Sequence, residues 1–317
     1  INTITSQTTA SSHSAALGAS GNVTIRATDT SEILSITGAA SGAGTAAVGA
    51  AGSYNNIGGG VKAELTGGSV NAANLILDAE RSGTLDVWAI AGSGAGTAGF
   101  AGSIAVNTAG GDTTARIAGG ASVQAAGNAL ITSQADDLIK SRAGSVAFGG
   151  TFGGAGGIAF NDITSTTHAQ VTGTGTTVTA LGNGDAAQVD NGALTAYNPN
   201  KLPSEQPLSG RQLKDSVRGV AVVASSTALV ENFALSAAGG GNAAVAATVG
   251  IAMLGGSTTA EVTDHATLNA SLGGGEQEAR VAAYHHDQIG SGTGGAAVGG
   301  DAGIGGAADT AVVTHTT

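Results

Sequence analysis

Residues Gly67–Ala79 read GGSVNAANLILDA. Two short runs alternate apolar with small polar residues, Val70-x-Ala72 and Leu75-x-Leu77-x-Ala79. Asn74 sits between them and a glycine pair precedes them. Alternation with period two reads as strand, and Gly or Asn between strands reads as a turn. The arrangement returns at Gly120-Ala-Ser-Val123 through Asn128-Ala-Leu130, at Thr177-Val178-Thr-Ala180, and, more raggedly, at Gly21-Asn22-Val23-Thr-Ile25-Arg-Ala27. A strand–turn–strand unit repeated along a chain with little else is the signature of a solenoid.

The repeat has a measurable period. Asn22 and Asn74 are 52 residues apart, and Asn74 and Asn128 are 54 apart. Each unit carries a block of small residues, opening at Gly44, Gly96 and Gly150. A fourth unit is expected near Ala193 and a fifth near Ala279, with blocks at Gly241 and Gly294. Within the blocks, Val48, Phe100, Ile104, Phe152 and Ile158 are expected to point inward as fillers. Gly and Ala beside them would let a facing sheet approach closely. The block reads either as packing alone or as a low-relief face that adheres to a polymer or to a sister molecule.

Composition supports a thin coil. Among 317 residues there are 55 Gly, 3 Pro and no Cys, with aromatics at 3% and charged residues at 10%. A wide globule needs larger side chains to reach close-packed density. Collagen is excluded by the absence of a Gly-x-y period and the scarcity of Pro, and low charge with repeated β-branched runs argues against disorder. The net charge of −11 argues against nucleic acid and anionic membrane as partners. No apolar run of spanning length stands apart from Ala and Gly, so membrane insertion is not expected. The lack of Cys fits a secreted protein without disulfides. The start at Ile1, with no signal peptide, reads as a piece of something longer.

The pattern Val-x-Ala-x-Gly-Asn-Val/Leu-x-Ile/Leu-x-Ala, carried by Ser69–Ala79 and Ser122–Ile131, resembles the repeats of filamentous haemagglutinin-like adhesins. The Gly/Ala blocks resemble the leukotoxin-type subgroup of large bacterial surface exoproteins. The resemblance covers nearly the whole chain except 198–218. It implies a right-handed parallel β-helix, exported through an outer-membrane partner or autotransporter barrel to the cell surface. It also implies an adhesin stalk with no catalytic residues.

Residues 198–218 stand apart. They hold every proline (Pro199, Pro203, Pro207) and four of the 11 basic residues: Lys201, Arg211, Lys214 and Arg218. Proline cannot sit in a central strand, so this stretch is expected to leave the coil as a lateral insertion. Ser209 is expected to cap a short helix through Gln212, Leu213 and Val217. A basic protrusion on an acidic rod offers a contact for an acidic polysaccharide or host glycan. It also reads as a tolerated surface loop.

Chemistry elsewhere is sparse. Asp136-Asp137 is a carboxylate pair, expected at a solvated turn. Its alternative is the acid/base pair of a polysaccharide-processing β-helix enzyme. His285-His286-Asp287 has metal-ligand types, but adjacent strand residues point to opposite faces and cannot share an ion. No phosphate loop or nucleophile elbow occurs in the required context. No cofactor or metal is expected.

The sequence therefore predicts an all-β, right-handed parallel β-helix spanning 1–317 as one unit, with an insertion at 198–218. At about 20–27 residues per turn it would form roughly a dozen to sixteen turns and a rod roughly 60–75 Å long. The expected role is a structural and display segment of a secreted adhesin in surface, cell–cell or biofilm attachment, with self-association left open. The alternatives are the glycan-processing enzyme and a spacer without ligand.

Overall fold

A computed structural model describes residues 1–194, 212–269 and 277–317. The chain is an all-β parallel solenoid. Each winding runs through one long strand, a tight corner, a second long strand, a glycine corner and one short strand.

The first long strands are β3 (Asn22–Ala43), β6 (Asn74–Ala95), β9 (Ala129–Gly149), β14 (Gly219–Gly240) and β17 (Glu278–Gly299), and they stack as sheet I. The second are β1 (Asn2–His13), β4 (Ala46–Thr66), β7 (Ala98–Ala118), β10 (Phe152–Thr172), β15 (Ala243–Thr263) and β18 (Ala302–Thr316), which form sheet II. The short strands β2 (Ala16–Gly18), β5 (Ser69–Ala72), β8 (Ser122–Ala125), β11 (Thr177–Ala180) and β16 (Thr267–Leu268) form sheet III.

The winding is wider than expected. Asn22 pairs in register with Asn74, and Leu75 with Ala129, so one turn takes the full 52–54-residue repeat. The expectation of about 20–27 residues per turn is corrected accordingly. A strand of 22 residues spans roughly 70 Å, whereas six stacked strands rise only roughly 25–30 Å. The long dimension therefore lies along the strands, and the molecule is a broad slab. The reason is local: within Asn74–Ala95 nothing but alternation occurs, and no Pro or positive-φ turn interrupts it.

Corners fall where the sequence places them. Gly68 takes φ +72°, and a Cβ there would lie 2.1 Å from the Ala15 carbonyl oxygen of the winding below. The asparagines that open each unit stack on one another. Asn74 Nδ2 donates to Asn22 Oδ1 at 2.8 Å, and Asn74 Oδ1 accepts from the Asn128 backbone N–H at 2.7 Å.

The interior tapers. Where three sheets meet, Leu75, Leu77, Leu65, Ile117 and Ile131 fill a wide core. Midway, Leu85, Val87, Ile139, Ile163 and Leu254 pack between sheets I and II. At the far edge the filling is small, with Ala91, Ala101, Ala147 and Ala155 beside buried Ser93, Ser103, Ser145 and Thr248. There a Cβ on Gly99 would lie 2.2 Å from the carbonyl oxygen of Phe148 in the opposite sheet.

This thinness overturns the expected inward placement of the block's large residues. Val48, Phe100, Ile104 and Ile158 are 69%, 44%, 48% and 40% exposed, while Ala101, Ala105 and Ala159 beside them are buried. Phe152 is half-buried against Phe100, with ring centroids 5.4 Å apart. The gap between the sheets is too narrow for large aliphatic or aromatic side chains, so they turn outward.

The lateral departure is also larger than expected. Asn128 and Gly219, joined by a hydrogen bond between windings, are 91 residues apart. Strands β12 (Ala187–Leu194) and β13 (Gln212–Val217) pair antiparallel. Val189 and Val217 cover Ala221 and Val223 on the outer side of sheet I. Ala193 therefore belongs to this hairpin, and the fourth unit opens at Gly219 instead. The segment expected to be helical from Gln212 to Val217 is a strand, because its partner strand supplies a ladder. Ser209, Lys201 and Arg211 lie outside the described residues.

Candidate functional site

Three features of the fold could carry function: the hairpin, the polar interior and the outer face of sheet II.

The hairpin covers part of sheet I and leaves a cleft of about 280 Å³, lined by Arg26, Asp78, Glu80, Gln134, Asp190 and Lys214 among others. Lys214 thus shares its cleft with three carboxylates. Arg218 Nη1 donates to the Gly184 carbonyl and ties the base of the hairpin. Lys214 lines this cleft, and Arg218 lines another with Ser216, Gln277 and Glu278.

The interior carries two polar seams between its apolar layers. In the first, Asp137 faces inward and pairs with Arg81, while Ser165 Oγ donates to Asp137 Oδ2 at 2.6 Å. The expectation of a solvated turn at Asp136-Asp137 is corrected. Both lie mid-strand in β9, with Asp137 fully buried and Asp136 nearly so. Burial raises the Asp136 carboxyl from 3.8 to about 6, with Asp137 and Asp190 adding to the rise, while hydrogen bonds from Gln134 and Thr227 oppose it.

Further along the solenoid axis, Ser226 Oγ lies 2.6 Å from His285 Nδ1, and His285 Nε2 lies 2.6 Å from Asp287 Oδ1. His315, isolated in sequence, stacks on His285 with centroids 3.2 Å apart. Burial and the neighbouring His285 lower its pKa. These are the residue types of a hydrolytic relay. However, Ser226 is 2% exposed and packed between windings, so no substrate reaches its hydroxyl. The second seam is an asparagine ladder, Asn2–Asn55–Asn107–Asn161, which links neighbouring windings.

The outer face of sheet II is different in kind. Parallel register places Val48, Phe100, Gly154, Val245 and Ile304 in one column. The next column is Ala50, Gly102, Gly156, Ala247 and Gly306, and the next Gly52, Ile104, Ile158, Val249 and Ala308. Two flanking columns begin at Ala46 and Tyr54. Across these five columns and five strands no charged residue occurs, and Tyr54 and Thr310 are the only polar side chains. At strand spacings the patch covers roughly 800 Å², above the roughly 300–600 Å² of the largest apolar patch on a typical monomer. The outer face of sheet I carries Asp86, Lys140 and Arg142, the last over the Trp88 ring at 4.7 Å; nearer the thin edge it too is uncharged, over the three columns headed by Gly38, Ala40 and Gly42, with Ile90, Phe148 and Leu235 exposed.

Sequence reasoning named an adhering face as one reading of the block but turned its large residues inward, although the opposite signal was present. Core residues Leu65 and Ile57 in β4 share odd positions, and the even positions Val48 and Tyr54 must then face out.

Fold and register define the chain as a parallel β-solenoid protein whose outer faces are uncharged along the thin edge, the wider of the two uncharged areas lying on sheet II. No family model, curated protein or solved structure matches it.

Proposed function

We propose that this chain is a structural and display segment of a secreted, adhesin-type surface protein, and that it attaches through the outer face of sheet II. The observation that carries the reading is the uncharged patch of ridges headed by Val48 and Gly52 on a chain of net charge −11. Side chains such as Ile104 and Ile158 add nothing to the core, so their apolar surface is available for adhesion. The sequence resemblance to filamentous haemagglutinin-like repeats supports a bacterial cell-surface setting with an outer-membrane export partner. We further propose contact with a polysaccharide or host glycan at the hairpin, a reading supported by Lys214 opening onto the cleft.

The test is retention of the purified chain on an alkyl-coated surface, compared with Ile158→Lys. The reading expects strong retention that the lysine abolishes. Equal retention of both proteins, or none of either when they are loaded at high dilution as single chains, would sink it.

A further inference from the structure

We infer that the outer face of sheet II docks a second copy of this chain, face to face, about a two-fold axis running along the solenoid. This rests on the attachment reading above and names its partner.

Three observations carry it. The first is relief. The columns headed by Val48, Gly52 and Tyr54 are ridges built from Phe100, Ile104, Ile158 and Phe160, while the column headed by Ala50 has no side chain beyond a methyl group. An axis midway between the Val48 and Ala50 columns sets the Val48 ridge of each copy opposite the Ala50 groove of the other. The Gly52 ridge then meets the alanine-rich Ala46 column, and the Tyr54 ridge meets the glycine corner at Gly44, Gly96 and Gly150. Ridges face grooves on every strand but β10, where Phe152 of one copy meets Ile158 of the other; this alternation lets two sheet faces interdigitate at about 10 Å.

The second observation is charge. Because the slab ends at the glycine corner, this axis overlaps the two copies only from that corner to the Tyr54 column. Charge begins beyond it, at Asp162 and then Lys62, Glu64 and Arg116, and those halves project to opposite sides of the dimer. Within the overlap carboxylates occur only on the last winding, at Asp301 in the corner and Asp309 in β18, so across β4, β7, β10 and β15 two acidic chains meet without facing their carboxylates.

The third is area. Roughly 800 Å² per partner is what a stable protein interface buries.

The experiment is sedimentation equilibrium of the full chain with three variants. Ile158→Lys puts a charge on a ridge. Gly102→Leu fills the groove, where a Cβ meets nothing within 4 Å, so the fold is left intact. Ile90→Lys changes the exposed outer side of sheet I as a control. Far-ultraviolet circular dichroism confirms folding of each. The expected result is about twice the 29.9 kDa chain mass for the parent and Ile90→Lys. Dissociation of Ile158→Lys and Gly102→Leu should be at least ~100-fold stronger. A parent that is monomeric yet still binds the alkyl surface overturns the second copy and leaves the attachment reading standing. A dimer indifferent to both sheet II variants overturns this interface. A monomeric parent that binds no alkyl surface overturns both.

Discussion

Asn55 Nδ2 donates to Asn107 Oδ1 across one winding, at 2.9 Å, with both side chains fully buried. Asn107 in turn donates to Asn161 Oδ1 at 2.8 Å and to Ser141 Oγ at 3.0 Å on the facing sheet. It is the rung that ties windings and sheets together. Asn107→Ala would strand the Asn55 amide in the interior and is expected to cost about 2–3 kcal/mol. The urea midpoint should fall while the m-value stays constant.

The Arg81–Asp137 pair is buried on both sides. Removing one partner leaves a charge without compensation. Arg81→Met is expected to cost about 3–5 kcal/mol, and the double variant Arg81→Met/Asp137→Leu should recover most of that loss. A double-mutant cycle by denaturant unfolding measures the coupling. Additive losses would contradict the pairing.

Asp136 gives stability a pH dependence of known sign. Its folded pKa of about 6 lies above the ordinary carboxylate value of 3.8, so the native state holds the proton more tightly than the unfolded chain. Stability from this group is fully present below 3.8 and is lost as pH rises through about 6. Asp136→Asn, which still accepts from Gln134 and Thr227, should be more stable than the parent at pH 7 by up to roughly 3 kcal/mol. The difference should vanish near pH 3.5, as read from urea midpoints across pH.

His315 works in the opposite sense. Its folded pKa is lowered from 6.5, so its neutral form is favoured in the fold. Stability is present above 6.5 and is lost as pH falls below it. The groups facing it are His285 and Asp287 from β17, Ser226 from β14 and Thr258 from β15. Amides of β17 and β18 should therefore lose hydrogen-exchange protection at pH 5 relative to pH 7.5, and His315→Gln should remove most of the difference.

Much of this fold was legible in the sequence, for a physical reason. Stacked windings repeat their corners, so Asn22, Asn74 and Asn128 announce the period before any coordinates do. The period was nonetheless divided too finely, since a strand of 22 residues exceeds what short turns suggest. The direction of the Gly/Ala block was misread because large residues were assumed to fill space. Position parity traced from Leu65 or Leu77 decides it otherwise. The hairpin was legible as an interruption through Pro199, Pro203 and Pro207, but not as a strand pair. The pairing of Gln212–Val217 with Ala187–Leu194 is set by tertiary context.

The account depends most on which way the block faces. The chain has no cysteine, so single Ile104→Cys and Ala105→Cys variants can be labelled with a maleimide at high dilution, where the sheet II face is free. Native Ile104→Cys should react at nearly the unfolded rate, and Ala105→Cys should stay protected until the chain unfolds. Protection at 104 with rapid labelling at 105 would turn the block inside out and remove the apolar face altogether.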